Sequence, residues 1–518
     1  MNEMSKKGNR GLSVQSWTSA SFLLITVAFV SKGLGFFREL LIAKYFGASG
    51  EVDAFIVALS AALLACSGIG IAISTMLIPV LHDIQAEAGN DNAANFVGKV
   101  ITATLALSAI ALVPLILAPE SIIRVLAPSL SWRVTNMAAT YAPWLAFYAL
   151  LLNLIFVLSA AFNTHGHFSV PAFSDLGFNV VAITILVMFS SALGIGALVA
   201  GSVLGLAVCG GILFLLLWRH RLARFGMYQS RGTIWPFIHL CVPILLLEFS
   251  SQIIAAIENY FASGLAEGSI AALNYARRVN IMMVALVALN VSRGAFPTFS
   301  LLWREGKRQE AAEILMRISN TVIILFVPAA VGCMVLRDQI LDVLYMRGVF
   351  DHNALEMTEA AFIFYCGGLV AAVLEPVLIK ACYAFGDTRT PLISTAISAV
   401  FATIGIYLLI PIWGLVGIAF IVSLSIALRA FIMAFVLSKT LEYFDLGRMA
   451  ASGVGALVCT GLACAASIGF PHDTPLGLMA WSLVFAITYL FTGWFFLEGS
   501  IRPLVWKFRR FGAELLAR

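Results

Sequence analysis

Runs of about 20 apolar residues recur along the whole chain, near 17–46, 54–82, 95–118, 138–162, 170–191, 194–218, 233–262, 268–302, 314–336, 358–384, 391–411, 413–438, 449–470 and 475–498. A helix needs about 20 such residues to cross about 30 Å of hydrocarbon. Backbone polar groups find no partner in lipid, so only helices and closed barrels span it, and these runs are about twice the length of a barrel strand. The expected fold class is therefore an all-α polytopic membrane protein of about 14 transmembrane helices. With 11% charged residues, where a soluble domain has about 25%, the chain is not a water-soluble module.

Lys and Arg set the orientation. Numbering the loops from the N-terminus, even-numbered loops and both ends carry twenty of the 32 Lys and Arg residues, odd-numbered loops carry five, and seven lie inside spans. Positive residues are retained on the cytoplasmic side, so both termini are expected to be cytoplasmic in a multi-pass membrane protein. The segment 1–16 leads into an apolar run with no small-residue cleavage site and reads as a retained first span. The net charge of +5 follows from this topology and implies no nucleic-acid partner. The eight cysteines sit singly in or near apolar stretches, which points to free thiols and no metal site.

The chain also repeats itself. Tyr45-Phe46 matches Tyr260-Phe261, Pro79 matches Pro297, and Gly166 with Pro171 matches Gly386 with Pro391, at offsets of 215, 218 and 220. Two parallel six-helix lobes are expected, 17–218 and 232–440, joined by a basic cytoplasmic linker 219–231 and followed by two further helices in 441–498 and a basic tail 499–518. Such repeats place a cargo site between lobes near the bilayer midplane and work by alternating access.

The seven cations inside spans are Lys32, Arg38, Arg277, Arg278, Arg293, Lys380 and Arg429. A cation at bilayer depth costs several kcal/mol unless it meets water or a partner, so these side chains imply a wet cavity for an anionic cargo. In S31-K-G-L-G-F-F-R-E39, two glycines weaken the helix by about 1 kcal/mol each, and a bend there would aim Lys32 and Arg38 into one vestibule, with Glu39 as a holding partner. On the eighth span Arg277 and Arg278 lie about 100° apart, which favours Arg278 as the inward residue; Arg293 falls near the cytoplasmic mouth. Glu375 and Lys380 are five apart and able to pair, while Glu248 and Glu258 stand as charge-balancing or ion-coupling groups. Arg429 is alone on its span. No P-loop, Ser/His/Asp group or H-E-x-x-H motif is present, so neither an enzyme activity nor a cofactor is expected.

The stretch S31-K-G-L-G-F-F-R-E-L-L-I-A-K-Y-F-G47 with Asp53-Ala54-Phe55, the segment Gly268-Ser269-Ile270 running into A271-A-L-N-Y-A-R-R278, and the turn from Cys382 through Gly386-Asp387-Thr388-Arg389 to Pro391 resemble the MurJ/MviN family of lipid II flippases. The family lies within the larger group of multidrug antiporters and polysaccharide exporters. The resemblance implies transfer of an undecaprenyl-pyrophosphate-linked saccharide from the inner to the outer leaflet, with helices 13 and 14 as a groove for the lipid tail and cell-wall or polysaccharide synthesis proteins as partners. Carried over by position, it implies that Lys32, Arg38 and Arg278 contact cargo, with Glu39, Asp53 and Arg277 beside them, and it leaves Glu375, Lys380 and Glu258 to coupling or charge balance. Three residues or stretches depart from the family pattern. A lysine stands at 32, Arg277 occupies a position where the family commonly has an acid, and 61–76 carries no charge. Export of another lipid-linked repeat unit is the alternative, and ion-coupled multidrug export a more distant one.

Overall fold

The computed structural model describes the backbone of residues 17–224, 231–469 and 475–496, and the side chains of these except 17–25, 231–235, 286–297, 475–476 and 494–496. Every regular element among them is helical. The chain divides into two compact units, one of residues 1–275 and 347–354, the other of 276–346 and 355–518. The first holds α1 (Trp17–Phe46), α2 (Gly50–Ala88), α3 (Asn90–Leu117), α4 (Pro119–Leu126), α5 (Trp132–Thr164), α6 (Ser169–Leu193), α7 (Gly196–Arg219), α8 (Arg231–Ala262) and the start of α9 (Ser269–Arg304). The second holds the rest of α9 with α10 (Arg308–Val335), α11 (Arg337–Tyr345), most of α12 (His352–Gly367), α13 (Leu369–Ala384), α14 (Arg389–Thr440), α15 (Leu446–Ser467) and α16 (Pro475–Phe496).

Each of the fourteen apolar runs falls on helix. Among the described residues, nine helices are long and apolar enough to cross a membrane, and α12 with α13, bent by 49° at Gly368, makes a tenth if counted as one span. The 52-residue α14 covers two of the runs and is broken at Gly414, whose φ of 53° is not helical. The short helices α4 and α11, of 8 and 9 residues, were not foreseen from hydropathy because neither is long enough to make an apolar window.

The internal repeat extends into the backbone. Helices α2 and α9 begin 219 residues apart, α3 and α10 218, α4 and α11 218, α5 and α12 220, and α6 and α14 220. Glycines with positive φ recur at the same spacing: Gly89 with Gly306, Gly166 with Gly386, and Gly194 with Gly414. Only glycine visits this region cheaply, so each half turns its chain with the same device at the same place. The loop between α6 and α7 thus corresponds to the break inside α14.

Within the first unit, α2 packs along α5, and the contact is pinned by a fully buried Asn153. Its amide donates to Cys66 O at 2.9 Å and Ser108 Oγ at 2.8 Å, and its Oδ1 accepts from Gly70 N at 3.1 Å. Any side chain at Gly70 would collide with Asn153, so the pair fixes both the approach of the helices and their register. In the second unit, Val373, Val377 and Leu378 of α13 anchor a core shared with α10 and α14. The phenol of Tyr489 on α16 donates to Ile324 O of α10, giving the last helix a polar anchor inside the apolar layer.

The expected bend in the first span is absent: α1 is helical without a break through Gly33 and Gly35. Two glycines cost about 2 kcal/mol together, whereas each backbone group left unpaired in lipid costs several, so the helix persists. Gly33 opens onto free space, while Gly35 lies against Asn179 of α6, whose amide reaches Ser31 O at 3.3 Å. Gly35 serves as a packing position against α6.

Candidate functional site

On α1, Lys32 is exposed and Arg38 half-buried. The Arg38 guanidinium lies 3.5 Å from Glu39 Oε1 and 5.2 Å from the centre of the Phe178 ring. Its Nε is buried without a hydrogen-bond partner among the described residues. A guanidinium carries five donors in a planar fork suited to phosphate oxygens, and this one spends little of that capacity on the protein. Phe178 supports its flat face and Glu39 holds one edge at long range, so the group is positioned and still available.

Arg277 and Arg278 are both half-buried on α9, in the second unit. The side chain of Arg293 lies outside the described residues. Glu375 differs from expectation. Its carboxylate faces Arg429 on α14, with Nε to Oε1 at 3.2 Å and Nη2 to Oε2 at 3.4 Å, while the ammonium of Lys380 sits 6.0 Å from the Tyr383 ring. Pairing five residues along one helix turns the two side chains to different faces, whereas α14 packs directly against α13 and brings Arg429 opposite. The pair is largely buried, at 13% and 17% exposure, and removing one partner strands the other's charge. Glu375→Gln should therefore lower the stability of the purified protein by about 3 kcal/mol and leave cargo affinity unchanged, with part of the loss recovered in Glu375→Gln/Arg429→Gln. Equal melting of single variant and parent would refute the pairing.

Asp53, expected beside the cargo, has another place. It is 2% exposed, and its two oxygens accept the backbone N–H groups of Gly268 at 2.6 Å and Ala271 at 2.7 Å. These are amides that the start of α9 leaves unpaired, and a carboxylate there also meets the positive end of the helix dipole. The first turn of α2 thus caps α9 across the repeat. Neighbouring bonds join the same segments: Tyr275 donates to Gly47 O at 2.9 Å, Val349 N to Lys44 O at 3.0 Å, and Ser131 to Glu267 Oε1 at 2.7 Å. Gly268 and Gly348 have positive φ, and a methyl group on either would run into the carbonyl oxygen of Ala48 or Lys44 respectively. The loops after α1, after α8 and after α11 are therefore knitted together at one end of the first unit. Glu258, one helical turn before this seam, is 5% exposed, next to Asn259, which donates to Ser60 Oγ of α2 at 2.9 Å.

Sequence reasoning missed the roles of Gly268, Ala271 and Tyr275 in this seam. The available signal was a glycine, Gly268, at the position before a helical run where a capping side chain would stand; the cap comes from a residue 215 positions away in the chain.

A sequence model of the family described as "Lipid II flippase MurJ" matches residues 42–491. The Lipid II flippase MurJ of Burkholderia cenocepacia is 26% identical over 434 residues, covering 80% of this chain and 83% of that protein. A solved structure of a lipid II flippase MurJ in an inward closed conformation superposes with a TM-score of 0.78 at 21% identity, covering 92% of this chain and 99% of that one. An inward-facing multidrug resistance MATE transporter of the MOP superfamily gives 0.68 at 15% identity over 82% and 98%, so the fold is one that carries different cargoes. With 42–491 matched end to end, the chain belongs to the MurJ family of lipid II flippases, a family of multi-pass membrane transporters.

Proposed function

We infer that the protein moves lipid II, an undecaprenyl-pyrophosphate-linked disaccharide-pentapeptide, from the inner to the outer leaflet of the cytoplasmic membrane by alternating access. Family membership supports the cargo, and the observation on this chain that carries the reading is Arg38: a half-buried guanidinium on a membrane helix with an unspent donor. Lys32, Arg38 and Arg278 are the proposed diphosphate ligands, with Glu39 restraining Arg38 while cargo is absent and Arg277 beside Arg278 on α9. An excess of cations fits an anionic headgroup and disfavours cationic drugs. The twofold organisation is read as lobes 17–218 and 232–440 with a lipid-tail groove in 441–498, both termini cytoplasmic, and the seam around Asp53 as the gate on the outer side. When cargo enters from the cytoplasm that gate stays shut, and release requires the bonds at Gly268, Ala271, Gly47 and Lys44 to part.

The test is transfer of labelled lipid II in proteoliposomes, run beside a polyprenyl-diphosphate-linked repeat unit that lacks the peptide. Transfer of lipid II is the expected result. Transfer of the peptide-free lipid alone would replace lipid II with an exported polysaccharide unit, for which the neutral stretch 61–76 of α2 is the specific pointer.

A further inference from the structure

Glu248 stands at the middle of α8, seventeen residues from Arg231 and fourteen from Ala262. It is half-buried, and among the described residues no cation or hydrogen-bond donor reaches its carboxylate. The Cβ of Glu248 lies against Gly68 of α2, close enough that a methyl group at Gly68 would approach it to 3.3 Å. The surroundings are apolar. Between Asp53 and His82, α2 has no ionisable side chain except Cys66, a buried thiol. On α8 itself the nearest ionisable groups are Cys241, a buried thiol about 11 Å away along the axis, and His239 and Glu258, about 14 and 15 Å away. The other helix packed on α8, α4, contributes Glu120 and Arg124, which bind each other at 2.6 Å. Ser67, beside the contact, keeps a buried hydroxyl with no partner among the described residues.

An unpaired carboxylate in such a place is costly, and a charge at bilayer depth is retained where it does work. The contact point matters too. Beside Gly68, Asn153 of α5 holds α2 by binding Cys66 O and Gly70 N, while α8 is joined to α2 through Asn259–Ser60 and Cys241–Ala72; Gly68 lies between these two bonds, where α8 meets α2 with no α2 side chain interposed. A group whose charge changes there would favour apolar contact when neutral and water when ionised. We propose that Glu248 is a proton-binding site: it takes one proton from water on one face of the membrane, crosses the cycle neutral against Gly68, and returns the proton to water on the other face when α8 shifts from α2. The cargo undergoes no bond change. The transport aspect rests on the proposed function; the protonation does not.

Two readouts separate these. In nanodiscs without cargo, infrared titration should show a protonated-carboxyl band that is lost in Glu248→Gln and kept in Glu248→Asp. In proteoliposomes with the potential clamped at zero, a pH difference of about one unit biases a one-proton step by up to about tenfold, so reversing it spans up to about a hundredfold, and Glu248→Gln should transport at a rate that ignores the reversal while Glu248→Asp responds. A band unchanged by Glu248→Gln, or a variant that follows the pH difference as the parent does, overturns the proposal. Loss of the band in a protein that moves no lipid II upholds the proton site and removes only the cargo assignment.

Discussion

Replacing Arg38 with alanine is expected to cut the initial rate of lipid II transfer at least about hundredfold while leaving membrane insertion and melting temperature near those of the parent. The reasoning is energetic. A charge-assisted hydrogen bond is worth about 1.5–3 kcal/mol, a guanidinium meets a diphosphate through two of them, and about 2.8 kcal/mol corresponds to a factor of one hundred. Stability should change little because, among the described residues, this group is held only through Glu39 at 3.5 Å and the face of Phe178. Arg38→Lys should recover part of the rate, since charge remains and the fork is lost. Lys32→Ala should lose less, a lysine contributing a point charge, Arg278→Ala should lose about as much as Arg38→Ala, and the three together should abolish transfer. A triple variant that still moves labelled lipid II at the parent's rate would remove all three from the cargo site.

Asp53→Ala is expected to act on the gate. It leaves the amides of Gly268 and Ala271 buried and unpaired, at a cost of about 3 kcal/mol or more for two bonds to a charged acceptor. That energy is present only while the seam is shut, so the closed-to-open ratio should fall by about a hundredfold. Ala271 is fully buried at 0% exposure, which makes Ala271→Cys a reporter: a membrane-impermeant thiol reagent should label it slowly in the parent and at least about tenfold faster with Asp53→Ala. Asp53→Asn keeps one acceptor oxygen and should fall between. Equal labelling in all three backgrounds would mean that Asp53 does not hold the seam.

The helices were legible in the sequence because a membrane imposes one length and one polarity on each, and the repeat was legible because glycines that must adopt positive φ cannot drift. Gly166 and Gly386 carried that signal in the sequence, and Gly194 with Gly414 shows it in the backbone. The site was less legible for a common physical reason: a charge shows where it is, not what it faces. Arg429 read as solitary and Glu375 as a partner for Lys380, yet their carboxylate–guanidinium contact spans 54 residues and two helices. Asp53 read as a cargo group because an acid beside a loop looks available; its burial depends on a helix start 215 residues downstream. Hydropathy also passed over α4 and α11, since 8 or 9 residues lying beside a span make no window of their own.

The latch that Asp53 forms has its second half written entirely in main chain. In a mutational survey of 264–272, losses at the buried Ser269, Ile270, Ala271 and Ala272 would report on side-chain packing, because the amides that Asp53 binds survive every replacement there except proline. The informative changes are those that alter the backbone itself: proline at 271, which deletes the amide that Asp53 binds, and any β-carbon at 268, which strikes Ala48. Genetic screens would therefore see the α9 side of the lock only at 268 and as proline at 271, although the two sides contribute equally to the bond.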